Sequence, residues 1–243
     1  MRYSALSDIG LKRDKNEDNW NIVLDEQGSP IGFIVADGMG GHLAGEEASR
    51  IAVEAMSSTV LSCVSNNDSF DVIKDHINQQ IKTINQKIMD YSNKKLGGLK
   101  SGTTLSVGLV LDNHLHIAHV GDSRIYRIRD GSICRLTEDH SYVAELVKEG
   151  LISADEASNH PDRNRITRAL GFKDNFLPDF YSESIRPEDI YIFCTDGLYM
   201  DVNDQEILDT VLHEPRESIV SRLIEKAKDH GGSDNITAIA AWM

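Results

Sequence analysis

Four aspartates stand beside glycine or serine where apolar runs end or begin: Ile34-Val-Ala-Asp37-Gly38, His119-Val-Gly-Asp122, Phe193-Cys-Thr-Asp196-Gly197 and Gly231-Gly-Ser-Asp234. Asp-Gly is a common turn pair, so any one of these alone reads as a turn. Four at strand edges ask for more, because strand ends of one sheet system can lie close in space. Carboxylates gathered in one place repel each other unless cations neutralise them. Carboxylate and carbonyl oxygens suit hard ions such as magnesium or manganese. The glycine after Asp37 removes a side chain, so the Gly38 carbonyl can also approach a metal. Such ions can lower the pKa of a bound water and stabilise developing negative charge.

The elements that must hold these residues follow from periodicity. Short β-like runs come first, at Tyr3–Ser7, Asn19–Leu24 and Gly32–Asp37. Two helices follow, one over roughly Ala44–Leu61 and one carrying Phe70, Ile73, Ile77, Ile81, Ile84, Ile88 and Tyr91 at steps of three and four. Thr103–Leu111 alternates as a strand, Asp112-Asn113 turns, and His114–Val120 returns. Arg124–Arg129 and Ser132–Leu136 join at Asp130-Gly131, a hairpin signal. Residues 139–170 are irregular and polar, with a capping box at Ser153-Ala-Asp-Glu156. A strand at Ile190–Thr195, helices near Asn203–His213 and Arg216–Asp229, and a strand at Asn235–Trp242 complete the chain. Hairpins with paired helices predict an α+β antiparallel sandwich covered by helices, with no alternating βαβ units. Residues 1–243 read as a single domain, without repeats or low-complexity linkers.

Bulk properties narrow the partners. At 243 residues and 40% hydrophobic content the chain can bury a sizeable core. Its formal net charge of −14 makes nucleic acid and anionic membranes poor partners. An anionic substrate would need local positive charge, which bound metals supply. The opening segment has no apolar secretory stretch, and the longest uncharged apolar run, Ser101–Leu111, is too short to span a bilayer. Cys63, Cys134 and Cys194 are scattered and odd in number, which suits buried packing in a reducing cytoplasm better than disulfides or zinc.

Asp37-Gly-Met-Gly-Gly-His42 resembles the central motif of the metal-dependent, type 2C serine/threonine protein phosphatases. Ser7-Asp-Ile-Gly, Arg13 with Asn16-Glu17-Asp18, Ser101-Gly-Thr-Thr104, His119-Val-Gly-Asp-Ser-Arg124, Thr195-Asp-Gly-Leu198 and Gly232-Ser-Asp-Asn-Ile-Thr237 resemble its other motifs, in the family's order. The length is similar to the compact bacterial members. The resemblance implies two antiparallel sheets packed face to face with helices outside, and a mobile flap over about 139–170. It implies that Asp37 bridges two metals, with the Gly38 carbonyl on one of them. Asp196 and Asp234 would bind the first metal and Glu17 the second, directly or through water. Asp122 with Asp196 would make a third site, Arg13 would clamp phosphate, and His42 would be the general acid. The expected cofactors are two or three Mn2+ or Mg2+ ions. The expected activity is hydrolysis of phosphoserine and phosphothreonine in proteins by attack of a metal-bridging hydroxide. The expected setting is cytoplasmic signal transduction opposite a serine/threonine kinase, by a monomer.

Other readings fare worse. A cysteine phosphatase needs an arginine six residues after its thiolate, where this chain has Ser69, His140 and Met200. Gly97 to Thr103 has glycine spacing like a P-loop but no lysine before the threonines. Asp139-His140-Ser141 looks triad-like, yet adjacent residues rarely converge that way, so His140 is read as structural. His160 and Arg165 are read as solvated flap, and Asn235 as a positioning residue. Lys12 and Tyr199 depart from common family patterns without touching a proposed ligand. The rival of another class is a catalytically silent phosphoprotein-binding scaffold on the same fold, which would be expected to lose metal ligands. A hydrolase of small phosphate esters stands as a third reading.

Overall fold

A computed structural model of the protein describes residues 1–40, 44–66, 68–95, 97, 100–174 and 176–243. In chain order the elements are β1 (Arg2–Asp8), β2 (Asn19–Leu24), β3 (Pro30–Ala36), a short β4 (Gly38–Met39), α1 (Ala44–Ser65) and α2 (Phe70–Lys95). Then come β5 (Gly102–Thr103), β6 (Leu105–Leu111), β7 (His114–Val120), β8 (Arg124–Arg129) and β9 (Ser132–Arg135). The segment over 139–170 holds α3 (Tyr142–Lys148) and α4 (Ala154–Ser158). The rest is β10 (Asp179–Ser184), β11 (Ile190–Cys194), α5 (Asp196–Tyr199), α6 (Asp204–His213), α7 (Ile219–Asp229) and β12 (Ile236–Trp242).

Two five-stranded antiparallel sheets, in the orders β1-β12-β11-β8-β9 and β10-β7-β6-β3-β2, form the sandwich. The strands that pack on both faces are the continuous apolar runs. β3 and β12 are buried along their whole length. On β3, Phe33 and Val35 point between the sheets, where they meet Ile117, Ile125, Tyr191, Phe193 and Ile239. Its alternate residues Ile34 and Ala36 point outward under α1 and α2, into a layer with Met56, Val60 and the isoleucine stripe from Ile73 to Ile88. On the other outer face Tyr126, Ile192, Ala238 and Trp242 pack under α6 and α7, against Ile207, Val211, Leu223 and Ile224. Period-two strands between two helical layers therefore give four layers and three apolar seams.

Several element ends depart from the periodicity for physical reasons. The run Thr103–Leu111 breaks at Thr104, because Thr103 and Thr104 turn aside to bond Asp37. The helix expected from Arg216 begins as a 3-10 turn, Arg216–Ser218, and becomes α-helical at Ile219. β10 was not legible, since its sequence Asp-Phe-Tyr-Ser-Glu-Ser lacks a long apolar face and, among the described residues, it pairs with β7 alone at a sheet edge. The capping box at Ser153 and Glu156 forms as expected. Among the described residues, no helix is long and apolar enough to cross a membrane.

Candidate active site

The aspartates converge where β3, β11 and β12 end. Asp37 follows β3, and its backbone is clamped on both sides. Its N–H donates to Thr104 Oγ1 at 2.8 Å, while its carbonyl accepts from Thr104 N and Thr103 Oγ1, both at 2.9 Å. Asp196 opens α5 directly after β11, and Asp234 precedes β12. Asp122 follows β7 and is buried, with one carboxylate oxygen lacking any hydrogen-bond partner among the described residues.

Glu17 and Arg13 reach the same centre on the loop after β1, and Asn235 fastens that loop. Its side-chain oxygen accepts from Glu17 N at 2.8 Å, and its amide donates to the carbonyls of Ile9 at 3.0 Å and Lys15 at 2.8 Å. Close backbone approach requires glycine here. A Cβ on Gly10, whose φ is +78°, would meet the Asp234 carbonyl oxygen at 2.1 Å. A Cβ on Gly38 would meet the carbonyl oxygens of Gly45 at 2.3 Å and Glu17 at 2.4 Å. The start of α1 presses on the centre from this side, where a Cβ on Gly45 would meet the Glu17 carboxylate carbon at 2.9 Å.

The electrostatics are those of a crowded, under-neutralised set of anions. Burial first, then repulsion from Asp196, Asp18 and Asp122, holds the Asp37 carboxyl well above the usual carboxylate range. Burial and Asp196 do the same to Asp122. Asp196 is pushed up to about 6 by burial and by Asp234. Glu17 is raised by burial, against the pull of Arg13. Arg13 faces the group, donating to Asp234 at 2.6 Å with half of its side chain exposed, and Arg124, itself paired with Asp139, pulls on Asp122 from the other side. Two guanidiniums do not balance this many carboxylates. Unpartnered, solvent-shielded oxygens on Asp18, Asp122 and Asp196 and the raised proton affinities all fit hard divalent cations held by oxygen donors. Among the described residues, no three carboxylates of this centre bring donor atoms within 4.8 Å of one another. The donors ring a volume instead of clasping one point, which suits ions that keep several waters.

The chain matches the protein phosphatase 2C family over residues 12–236. The chain belongs to the protein phosphatase 2C family. It is 36% identical over 245 residues to protein phosphatase PhpP of Streptococcus pneumoniae, covering 100% of this chain and 98% of that protein. The crystal structure of the Mycobacterium tuberculosis serine/threonine phosphatase PstP/Ppp superposes with a TM-score of 0.86 at 34% identity, covering 100% of this chain and 98% of that one. A structure of the PstP catalytic domain in complex with two manganese ions has a TM-score of 0.84 at 33% identity, covering 99% and 97%.

In this phosphatase 2C chain the expected site residues Arg13, Glu17, Asp37, Gly38, Asp122, Asp196 and Asp234 are brought to one region. His42, expected as general acid, lies outside the described residues. Asp139, His140 and Ser141 separate as expected. Asp139 pairs with Arg124 at 2.7 Å, His140 bridges Gly121 N and Asp179, each at 3.0 Å, and Ser141 caps α3. His160 and Arg165 face Tyr142 within the 139–170 segment.

Tyr199 does touch a proposed ligand: its hydroxyl donates to the Asp122 carbonyl at 3.0 Å, and the Arg124 guanidinium lies 3.6 Å from its ring centroid. Asp18, in the Asn16-Glu17-Asp18 motif, also belongs to the centre. It is buried, accepts from Thr195 Oγ1 at 2.8 Å and Thr237 Oγ1 at 2.7 Å, and is pushed up to about 7 by burial against those two hydrogen bonds. The signal was the pair of threonines at the strand ends flanking Asp196 and Asp234, whose buried hydroxyls need acceptors. Tyr199→Phe removes one hydrogen bond, worth about 1 kcal/mol. Turnover is expected to fall about fivefold at limiting metal, with saturating metal restoring most of it. A wild-type metal dependence in the variant would detach Tyr199 from the site.

Proposed function

We propose that the aspartate centre hydrolyses phosphoserine and phosphothreonine in proteins with manganese or magnesium held by Glu17, Asp37, the Gly38 carbonyl, Asp122, Asp196 and Asp234. The observation that carries the reading is the buried carboxylate cluster, with oxygens that have no hydrogen-bond partner among the described residues and too little facing positive charge to balance it. The relative with two bound manganese ions supports the choice of metal. A silent scaffold would have no use for so costly a set of buried acids, so that alternative is set aside.

When bound, such cations lower the pKa of water and offset the charge of a phosphate. The chain's own residues do the rest. Arg13 presents a planar fork at the open side of the centre, and only its bond to Asp234 is engaged among the described residues. Its remaining N–H groups suit phosphate oxygens. Thr103, Thr104 and Asn235 hold the ligand-bearing backbones so that little reorganisation is needed. His42 is proposed as the acid that protonates the leaving serine or threonine alkoxide. We place this work in the cytoplasm, opposite a serine/threonine kinase, on the strength of three unpaired cysteines and the substrate class. The flap over 139–170 is proposed as part of one 1–243 domain, acting as a monomer.

The test compares turnover of a phosphothreonine peptide, a phosphotyrosine peptide and a small aryl phosphate with manganese present. Fast release from phosphothreonine and little from phosphotyrosine is the expected result. Equal or better hydrolysis of small esters alone would make the chain a small-molecule esterase.

A further inference from the structure

A second set of metal-ligating side chains lies at the junction of α1 and α2, away from the aspartate centre. Cys63 is buried in the last turns of α1, under the first turns of α2. The chain then wraps back, with the Asp68 N–H donating to the Cys63 carbonyl at 3.1 Å, which places the Asp68 carboxylate beside the thiol. His76 comes from α2, on the rim of its buried stripe between Ile73 and Ile77. Its Nδ1 stands 3.4 Å from Cys63 Sγ and 3.5 Å from Asp68 Oδ2, and the three donor atoms all lie within 4.8 Å of one another. A tetrahedral zinc with Zn–S near 2.3 Å and Zn–N and Zn–O near 2.0 Å sets neighbouring donors roughly 3.3–3.5 Å apart. The two separations that involve His76 match that edge length before any ion is placed, and the third pair, Cys63 Sγ and Asp68 Oδ2, lies within 4.8 Å.

A weak thiol–imidazole hydrogen bond would also bring Cys63 and His76 together. It leaves Asp68 Oδ2 unexplained. That oxygen is shielded from solvent and has no hydrogen-bond partner among the described residues, although an imidazole nitrogen stands 3.5 Å away. A cation between the three atoms satisfies it. We propose that Cys63 Sγ, Asp68 Oδ2 and His76 Nδ1 form a site for a zinc-class divalent cation, with water as the fourth ligand. Thiolate and imidazole favour zinc or cobalt over magnesium and manganese, so this site and the all-oxygen centre select different ions. Half of the His76 side chain is exposed, which gives the ion an entry path and leaves room for the water. On binding, the ion exchanges waters for the three donors, and the Cys63 thiol releases its proton to solvent as the sulfur–metal bond forms. The ion would pin α1 to α2 at the end of α1 opposite to the one that meets Gly38 and Glu17.

Cobalt(II) is the probe, added to the full chain in excess manganese so that the oxygen centre is filled. A thiolate-to-cobalt charge-transfer band saturating at one equivalent is expected, and zinc should bleach it. Cys63→Ser should abolish the band, and Cys134→Ser, at an exposed cysteine, should leave it intact. His76→Asn, on an exposed helix position that the fold does not need, should weaken cobalt binding at least about tenfold. Zinc should raise the melting temperature of the wild type and not of His76→Asn. No band at one equivalent, a band that survives Cys63→Ser or vanishes in Cys134→Ser, or a zinc-induced stabilisation unchanged in His76→Asn would each overturn the site.

Discussion

Asp37→Asn is expected to lower turnover of a phosphothreonine peptide by about 10³-fold or more, and Asp196→Asn by a similar factor. Metal-ion catalysis contributes several kcal/mol to a phosphoryl-transfer barrier, and each 1.4 kcal/mol is about tenfold in rate. The amide keeps the shape of the carboxylate but loses the charge that holds a cation. The backbone clamps on Asp37 come from Thr103 and Thr104, not from its carboxylate, so the fold around it should survive. Stability supplies a second readout with the opposite sign. Burial and the charges of Asp196, Asp18 and Asp122 all disfavour an ionised Asp37. Removing that charge should therefore raise the melting temperature of the metal-stripped chain at pH 8 while activity collapses. A variant that is inactive and also destabilised would mean that Asp37 serves the fold. Wild-type turnover in either variant would return these aspartates to the status of turn residues.

The sequence carried the fold where hydrophobic period and burial coincide. His114–Val120 and Arg124–Arg129 were legible to the residue, because each strand has an apolar face and a turn dipeptide at one end. β10 was not, since an edge strand with one partner needs little apolar surface. Four of the clustered aspartates were legible from Asp-Gly, Gly-Asp and Ser-Asp at strand ends, and the family motifs added Glu17, Arg13 and the Gly38 carbonyl. What the sequence could not display was contact across the chain. Asn235 ties residues 9–17 to β12 over more than two hundred positions, and Asp18 finds Thr195 and Thr237 at similar range. Tyr199 looked variable because its neighbours in sequence say nothing about Asp122. The Cys63, Asp68 and His76 cluster was invisible for the same reason. Each cysteine alone reads as packing in sequence, and it is the packing of α2 on α1 that sets an imidazole beside the Cys63 thiol.

Removing divalent cations is expected to abolish activity and to destabilise the chain in a way that depends on pH. The sign follows from proton counting. Asp18, Asp37, Asp122 and Asp196 all have carboxyls raised above 3.8 in the folded chain, Asp196 to about 6 and Asp18 to about 7. Between about pH 4 and pH 7 the metal-free folded state therefore binds more protons than the unfolded chain. Stability then falls as pH rises through that window. Asp8, Asp179 and Asp189 are shifted the other way, down, against their own burial, by Lys228, by His140 and Arg168, and by Arg129 respectively. Their contribution is present above the ordinary carboxylate pKa and is lost on the acid side, so the metal-free chain should be most stable near pH 4–5. A bound cation reverses the slope in the upper window, because it requires the carboxylates ionised. Each pKa unit corresponds to about 1.4 kcal/mol, so the cluster can account for a few kcal/mol between pH 5 and pH 8. Thermal melts of chelator-treated and manganese-loaded chain at the two pH values measure this directly. The gap in melting temperature between the two forms should be small at pH 5 and wide at pH 8. A gap of the same size at both would mean that the buried aspartates do not hold the ion, and the metal would then have to be sought elsewhere in the molecule.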